Sequence, residues 1–129
     1  MQTKKTIDLE PLEAEEQREL FKWAKMQSGR YPELLYMYHV PNGGRRRTRE
    51  AALLRAEGVK SGVPDIVLPA PRKPFHGLYI ELKRQKSGTV SEDQKKFLDY
   101  LNFMGYKAVV CKGWKEASET IMDYLKGEK

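Results

Sequence analysis

"GVPDIVLPAPRKPFHGLYIELKRQK" spans residues 62–86 and reads as two strands joined by a proline-bearing turn. Successive side chains on a strand point to opposite faces, so Leu78, Ile80 and Leu82 share one face while Glu81 and Lys83 share the other. The first strand opens with Asp65. Strands joined by a short connection usually pair as neighbours, which lets Asp65 and Glu81 converge at one end of a sheet. Two readings fit this pattern. In one, Glu81 and Lys83 form an exposed ion pair worth about 0–1 kcal/mol. In the other, two carboxylates that would repel each other hold a hard divalent cation such as Mg²⁺. The backbone carbonyl of Leu82 then adds an oxygen ligand, and Lys83 orients water or neutralises charge developing on a phosphate.

The flanking sequence supplies a frame for such a site. Leu12, Leu20, Phe21 and Ala24 recur at helical spacing between Pro11 and about Gln27, predicting a first helix with Pro11 in its first turn. "ELLYMYHV" at 33–40 reads as a strand that stops at Pro41-Asn42-Gly43-Gly44. "RTREAALLRAEG" at 47–58 predicts a short helix with Gly58 as its stop. Ser91 followed by Gln94 fits a capping box opening a helix whose apolar face is Phe97, Leu98, Leu101 and Met104, closed by Gly105. "YKAVVCK" at 106–112 reads as a last strand and Trp114–Leu125 as a last helix. The order predicts an α/β fold, a small mixed sheet flanked by helices, in one domain over residues 1–129.

The charge is segregated as well as positive. The chain carries a formal net charge of +6; residues 8–19 are acidic and residues 45–60 basic, which favours a polyanionic partner. A single cysteine, Cys111, excludes an intramolecular disulfide framework, and with only His39 and His76 beside it a structural zinc site is not expected. The N-terminal "MQTKKTIDLEP" lacks the apolar stretch of a secretory signal, and no run reaches membrane-spanning length, so a cytoplasmic protein without membrane contact is expected. "GGRRRTR" at 43–49 pairs permissive backbone with guanidinium groups that match phosphate geometry, so Arg45, Arg46, Arg47 and Lys60 are candidate DNA contacts. No feature supplies base-edge recognition.

Four ordered stretches, "HVPNGG" at 39–44, "GVKSGVPD" at 58–65, "IELK" at 80–83 and "SEDQ" at 91–94, resemble the successive motifs of the virus-type replication-repair nuclease family, VRR-NUC, within the PD-(D/E)xK nucleases. The resemblance implies a restriction-endonuclease-like core in which Asp65 and Glu81 bind metal and Lys83 is the catalytic lysine. It implies a glutamate from the first helix; among Glu13, Glu15 and Glu16 the spacing to Leu20-Phe21 best suits Glu13, although each also fits the acidic N-terminus favoured by a helix dipole. Gln94 would hold Lys83 or the attacking water, a role compatible with capping. His39 and Asn42 would lie on a loop that approaches DNA, with an ordinary surface loop as the equal alternative for His39.

The activity so implied is a Mg²⁺- or Mn²⁺-dependent, structure-selective DNA endonuclease leaving 5′-phosphate and 3′-hydroxyl ends. Its substrates would be branched DNA such as four-way (Holliday) junctions in replication, recombination or repair, with no small-molecule cofactor. A phage or prophage setting suits so short a chain. A homodimer is expected, since symmetric resolution of a junction needs two centres related by a twofold axis, with Trp23 and Trp114 as candidate interface residues. A non-catalytic DNA-binding module of the same fold and a sequence-specific restriction-type enzyme are the competing readings.

Overall fold

A computed structural model describes residues 10–41 and 48–129. Asn42, Arg45, Arg46 and Arg47, four of the expected DNA contacts, lie outside the described residues. The elements follow the order α1 (Glu13–Gln27), a 3₁₀ helix (Pro32–Tyr36), β1 (Tyr38–His39), α2 (Thr48–Ala56), β2 (Ile66–Leu68), β3 (Leu78–Lys83), α3 (Glu92–Phe103), β4 (Lys107–Lys112) and α4 (Trp114–Leu125). The sheet has four strands in sequence order. β1–β2 and β2–β3 are antiparallel, whereas β3–β4 is parallel because α3 returns the chain to the start of β4.

The alternation along β3 sorts the helices onto two faces. Leu78, Ile80 and Leu82 join Ile66, Leu68 and Cys111 in a core closed by Leu20 and Ala24 of α1 and by Ala117, Ile121 and Leu125 of α4. On the opposite face Tyr79, Ala108 and Val110 pack with Leu98 and Leu101 of α3. The sheet is therefore the middle of three layers. Trp23 and Trp114 are half-buried against the α1–α4 core, so neither stands out as a free interface anchor.

Two expectations are corrected. Residues 33–40 are not one strand: Pro32–Tyr36 form a 3₁₀ helix, and only Tyr38–His39 pair with β2. Leu34 and Met37, three apart, are the buried pair, while Leu35 and Tyr36 are exposed; that spacing matches a 3₁₀ turn and breaks the period of two. Pro32 starts the turn with its φ already fixed. α1 begins at Glu13 rather than Pro11, because Glu15 Oε1 reaches back to accept from the Leu12 N–H at 2.8 Å and closes the first turn there. β2 starts at Ile66, one residue after Asp65, and Arg47 of the expected second helix lies outside the described residues; the other helices and strands form within a residue or two of where their patterns place them.

Candidate active site

The two strands of residues 62–86 pair with Ile66 opposite Ile80, so the same register carried two residues further sets Pro64 against Leu82. Proline has no N–H to offer a ladder. The Leu82 N–H donates to Asp65 Oδ2 at 2.8 Å, which pins the Asp65 carboxylate at the end of the sheet. Within a strand the N–H and C=O of one residue point to the same side, so the Leu82 carbonyl faces the side on which Asp65 sits. Pro64 cannot donate to the Leu82 carbonyl, and the Asp65 carboxylate takes the Leu82 N–H, so "VPD" sets both a carboxylate and a carbonyl at this end of the sheet.

Glu81 leaves the other face of β3 and is 1% exposed. Its Oε2 accepts from Gln94 Nε2 at 3.1 Å and lies 3.5 Å from Lys83 Nζ. Its Oε1 is buried and has no hydrogen-bond partner. Burial, followed by the charge of neighbouring Asp65, pushes the Glu81 carboxyl up to about 8, only partly opposed by Lys83. The Lys83 side chain is itself 9% exposed, so the reading of Glu81 and Lys83 as an exposed surface pair does not hold.

Gln94 caps α3 and bonds Glu81, where the resemblance implied a hold on Lys83 or on water. Its Oε1 accepts from the Ser91 N–H at 2.8 Å and its backbone N–H donates to Ser91 Oγ, completing the capping box, while its Nε2 holds Glu81. The start of α3 is seated by Gly62, whose φ is +86°: a Cβ there would meet the Asp93 carbonyl carbon and oxygen at 2.5 Å. Only a glycine lets the loop before β2 lie this close to the helix that delivers Gln94.

Asp65, Glu81, Leu82 and Gln94 line a cleft of ≈ 480 Å³ whose wall also includes Glu13, Gln17, His39, Lys60 and Ser61; Lys83, paired with Glu81, does not line it. Of the three candidate glutamates, only Glu13 lines it. Glu15 is spent on its cap, and Glu16 accepts from the Trp114 N–H at 2.9 Å and from Gln85 Nε2 at 2.8 Å. Among the described residues no group of three His, Cys, Asp or Glu is gathered as a metal cage, so Glu13 borders the Asp65–Glu81 pair without joining it. His39 sits on the wall with Nδ1 3.1 Å from the Asp65 carbonyl oxygen. Sequence reasoning missed Gln17 and Ser61, although Gln17 lies four residues after Glu13 on the same helix face.

The donor set suits a hard cation. Two carboxylates, one with a bare buried oxygen, and a carbonyl on the Asp65 side leave several positions to water, as Mg²⁺ prefers. Binding there would replace the repulsion that raises Glu81 with coordination.

The VRR-NUC domain model matches residues 12–115. A solved structure titled VRR-NUC domain protein superposes with a TM-score of 0.80 at 35% identity, covering 92% of this chain and 92% of its own. No curated protein matches the sequence. No helix among the described residues is long and apolar enough to cross a membrane.

Proposed function

Since this chain belongs to the VRR-NUC family of nuclease domains, we propose that it is a Mg²⁺- or Mn²⁺-dependent endonuclease that hydrolyses phosphodiesters in branched DNA, four-way junctions included. The observation that carries the reading is the bare, buried Glu81 Oε1, with Asp65 beside it in an open cleft and Lys83 Nζ 3.5 Å from its Oε2. An unsatisfied buried oxygen costs about 1–3 kcal/mol, and a bound cation is one way to offset it.

Asp65, Glu81 and the Leu82 carbonyl would hold the cation, which when bound supplies a Lewis acid for the phosphoryl group and a lowered pKa for water. The rest falls to the protein. The Leu82 N–H fixes Asp65, Gln94 fixes Glu81, and the Lys83 ammonium presents a positive charge where negative charge develops on the phosphate. Lys60 meets the strand from the cleft wall, and Glu13 borders the reacting region. Hydrolysis leaves 5′-phosphate and 3′-hydroxyl ends. Two such chains related by a twofold axis would place two centres on opposed strands of a junction.

The test is incubation of the purified protein with flaps, forks, four-way junctions and plain duplex, each with EDTA, Mg²⁺ or Mn²⁺. Metal-dependent cuts concentrated at branch points support the reading. Salt-sensitive binding without cleavage would replace it with a binding module, and cuts at fixed positions in plain duplex would replace it with a restriction-type enzyme.

A further inference from the structure

Beyond the cleft lies a second, largely apolar hollow of ≈ 390 Å³, lined by Lys60, Ser61, Asp93, Lys96, Phe97 and Tyr100. Lys60 and Ser61 line both the hollow and the cleft, so the two adjoin. Phe97 and Tyr100 stand three apart on α3, which makes them neighbours on one helix face. Their environments differ. Phe97 packs against Leu98 and Leu101, whereas Tyr100 is 58% exposed. Among the described residues no other ring stacks on Tyr100.

From this juxtaposition we infer that the hollow is a stacking subsite for an unpaired nucleobase of the strand whose phosphate occupies the cleft. Three features select that occupant. The tyrosine and phenylalanine rings offer a platform to any base, since every base has a π-face. Lys60 and Lys96 border the rings and suit the phosphates on either side of a stacked base. Asp93 disfavours a bare phosphate inside the hollow but accepts a hydrogen bond from a base N–H. A second copy of this chain would bring its own Lys60 and Lys96 against the same lysines in a chain of net charge +6, a like-charge contact that nucleic acid avoids. The subsite rests on the nuclease reading of the adjoining cleft and adds a substrate class to it: strands with an unpaired nucleotide next to the cut, as at a flap or fork.

The test uses the full chain and its Tyr100→Ala and Tyr100→Phe variants. In EDTA, binding is measured to a short single strand carrying 2-aminopurine and to the fully paired duplex of the same sequence. Tyr100→Ala should weaken single-strand binding by about 5- to 100-fold, the loss expected for one stacked base, and relieve 2-aminopurine quenching. Duplex binding should change less than about twofold, and Tyr100→Phe should behave as wild type. Unchanged single-strand binding, or equal losses on both DNAs, overturns the subsite. So does light scattering that shows a wild-type dimer dispersed by Tyr100→Ala with DNA binding intact. Cleavage of a flap with Mn²⁺ is scored separately. A wild type that stacks through Tyr100 but never cuts removes the catalytic reading alone, and one that cuts without using Tyr100 removes the subsite alone.

Discussion

Glu16 and Glu81 are each 1% exposed, and their surroundings are opposite. Glu16 has a donor on each oxygen, the Trp114 N–H and the Gln85 side-chain amide, and thereby ties α1 to α4 and to the segment after β3. Glu81 has both of its donors on Oε2 and none on Oε1, and its nearest carboxylate neighbour repels it. Burial alone does not mark a functional acid. What separates the two is whether the fold has finished satisfying the group: Glu16 is used up by the structure, and Glu81 is held incomplete.

The largest separation between them should appear in catalysis. Glu81→Ala or Asp65→Ala should lower metal-dependent cleavage by about a thousandfold or more while leaving DNA binding largely intact; near-wild-type cutting by either folded variant would remove the metal-site reading. Glu16→Ala should do the reverse. It strands the Trp114 N–H, and loss of hydrogen bonds to a charged acceptor predicts about 3 kcal/mol of destabilisation in chemical denaturation, with cleavage per folded molecule retained. A Glu16→Ala protein that is stable but inactive would erase the contrast.

A smaller effect sharpens it through metal and pH. The Glu81 carboxyl is raised to about 8 in the folded chain, above an unfolded value of about 4.3. Between these limits the unfolded chain releases a proton that the folded chain keeps. Glu81 therefore contributes stability in full below the unfolded value, and that stability is lost as pH rises to about 8. Without metal, the melting temperature should drift down over this window, and Mg²⁺ or Mn²⁺ should raise it more at pH 8 than at pH 6; at a hundred times Kd the stabilisation at a given pH is about 2.7 kcal/mol. Glu81→Gln should flatten the drift and remove most of the metal response. An identical metal response in that variant would place the cation elsewhere.

Glu10 gives the smallest effect and the opposite sign. Its carboxylate accepts from the backbone N–H groups of Lys86 and Ser87 and from Ser87 Oγ, and these bonds lower it to about 2. Its stabilisation is present above the unfolded value and is lost as pH falls towards about 2. Glu10→Gln should blunt the acid limb of the stability profile and leave the limb between pH 5 and 8 unchanged, as followed by circular dichroism.

How much of this was legible in the sequence depends on how far apart the partners lie. The Ser91–Gln94 box is written within one helical turn, and the β2–β3 pairing within one hairpin, so α3, both strands and the approach of Asp65 to Glu81 follow from local pattern. Residues 33–40 misled because a run of apolar and aromatic residues satisfies strand propensity, and only packing selects Leu34 and Met37 as the inward pair. Choosing among Glu13, Glu15 and Glu16 by chemistry alone required knowing that the Trp114 N–H arrives beside Glu16. Arg72 was overlooked for the same reason: it looks like one more surface cation in a proline-rich turn, yet it is buried, pairing with Glu33 and donating to the Leu125 carbonyl at 3.0 Å.

The bond between Glu16 and the Trp114 N–H spans 98 positions, and that span has a consequence for the order of synthesis. On a ribosome adding about 5–20 residues per second, the β2–β3 hairpin with its Asp65–Leu82 bond can form as soon as residue 83 has emerged. α1, which brings Glu13 to the cleft, has no α4 to dock on until Trp114 and the residues after it follow. A nascent chain therefore carries the acidic pair before α1 has its partner, and the cleft gains its α1 wall only after Trp114 has followed.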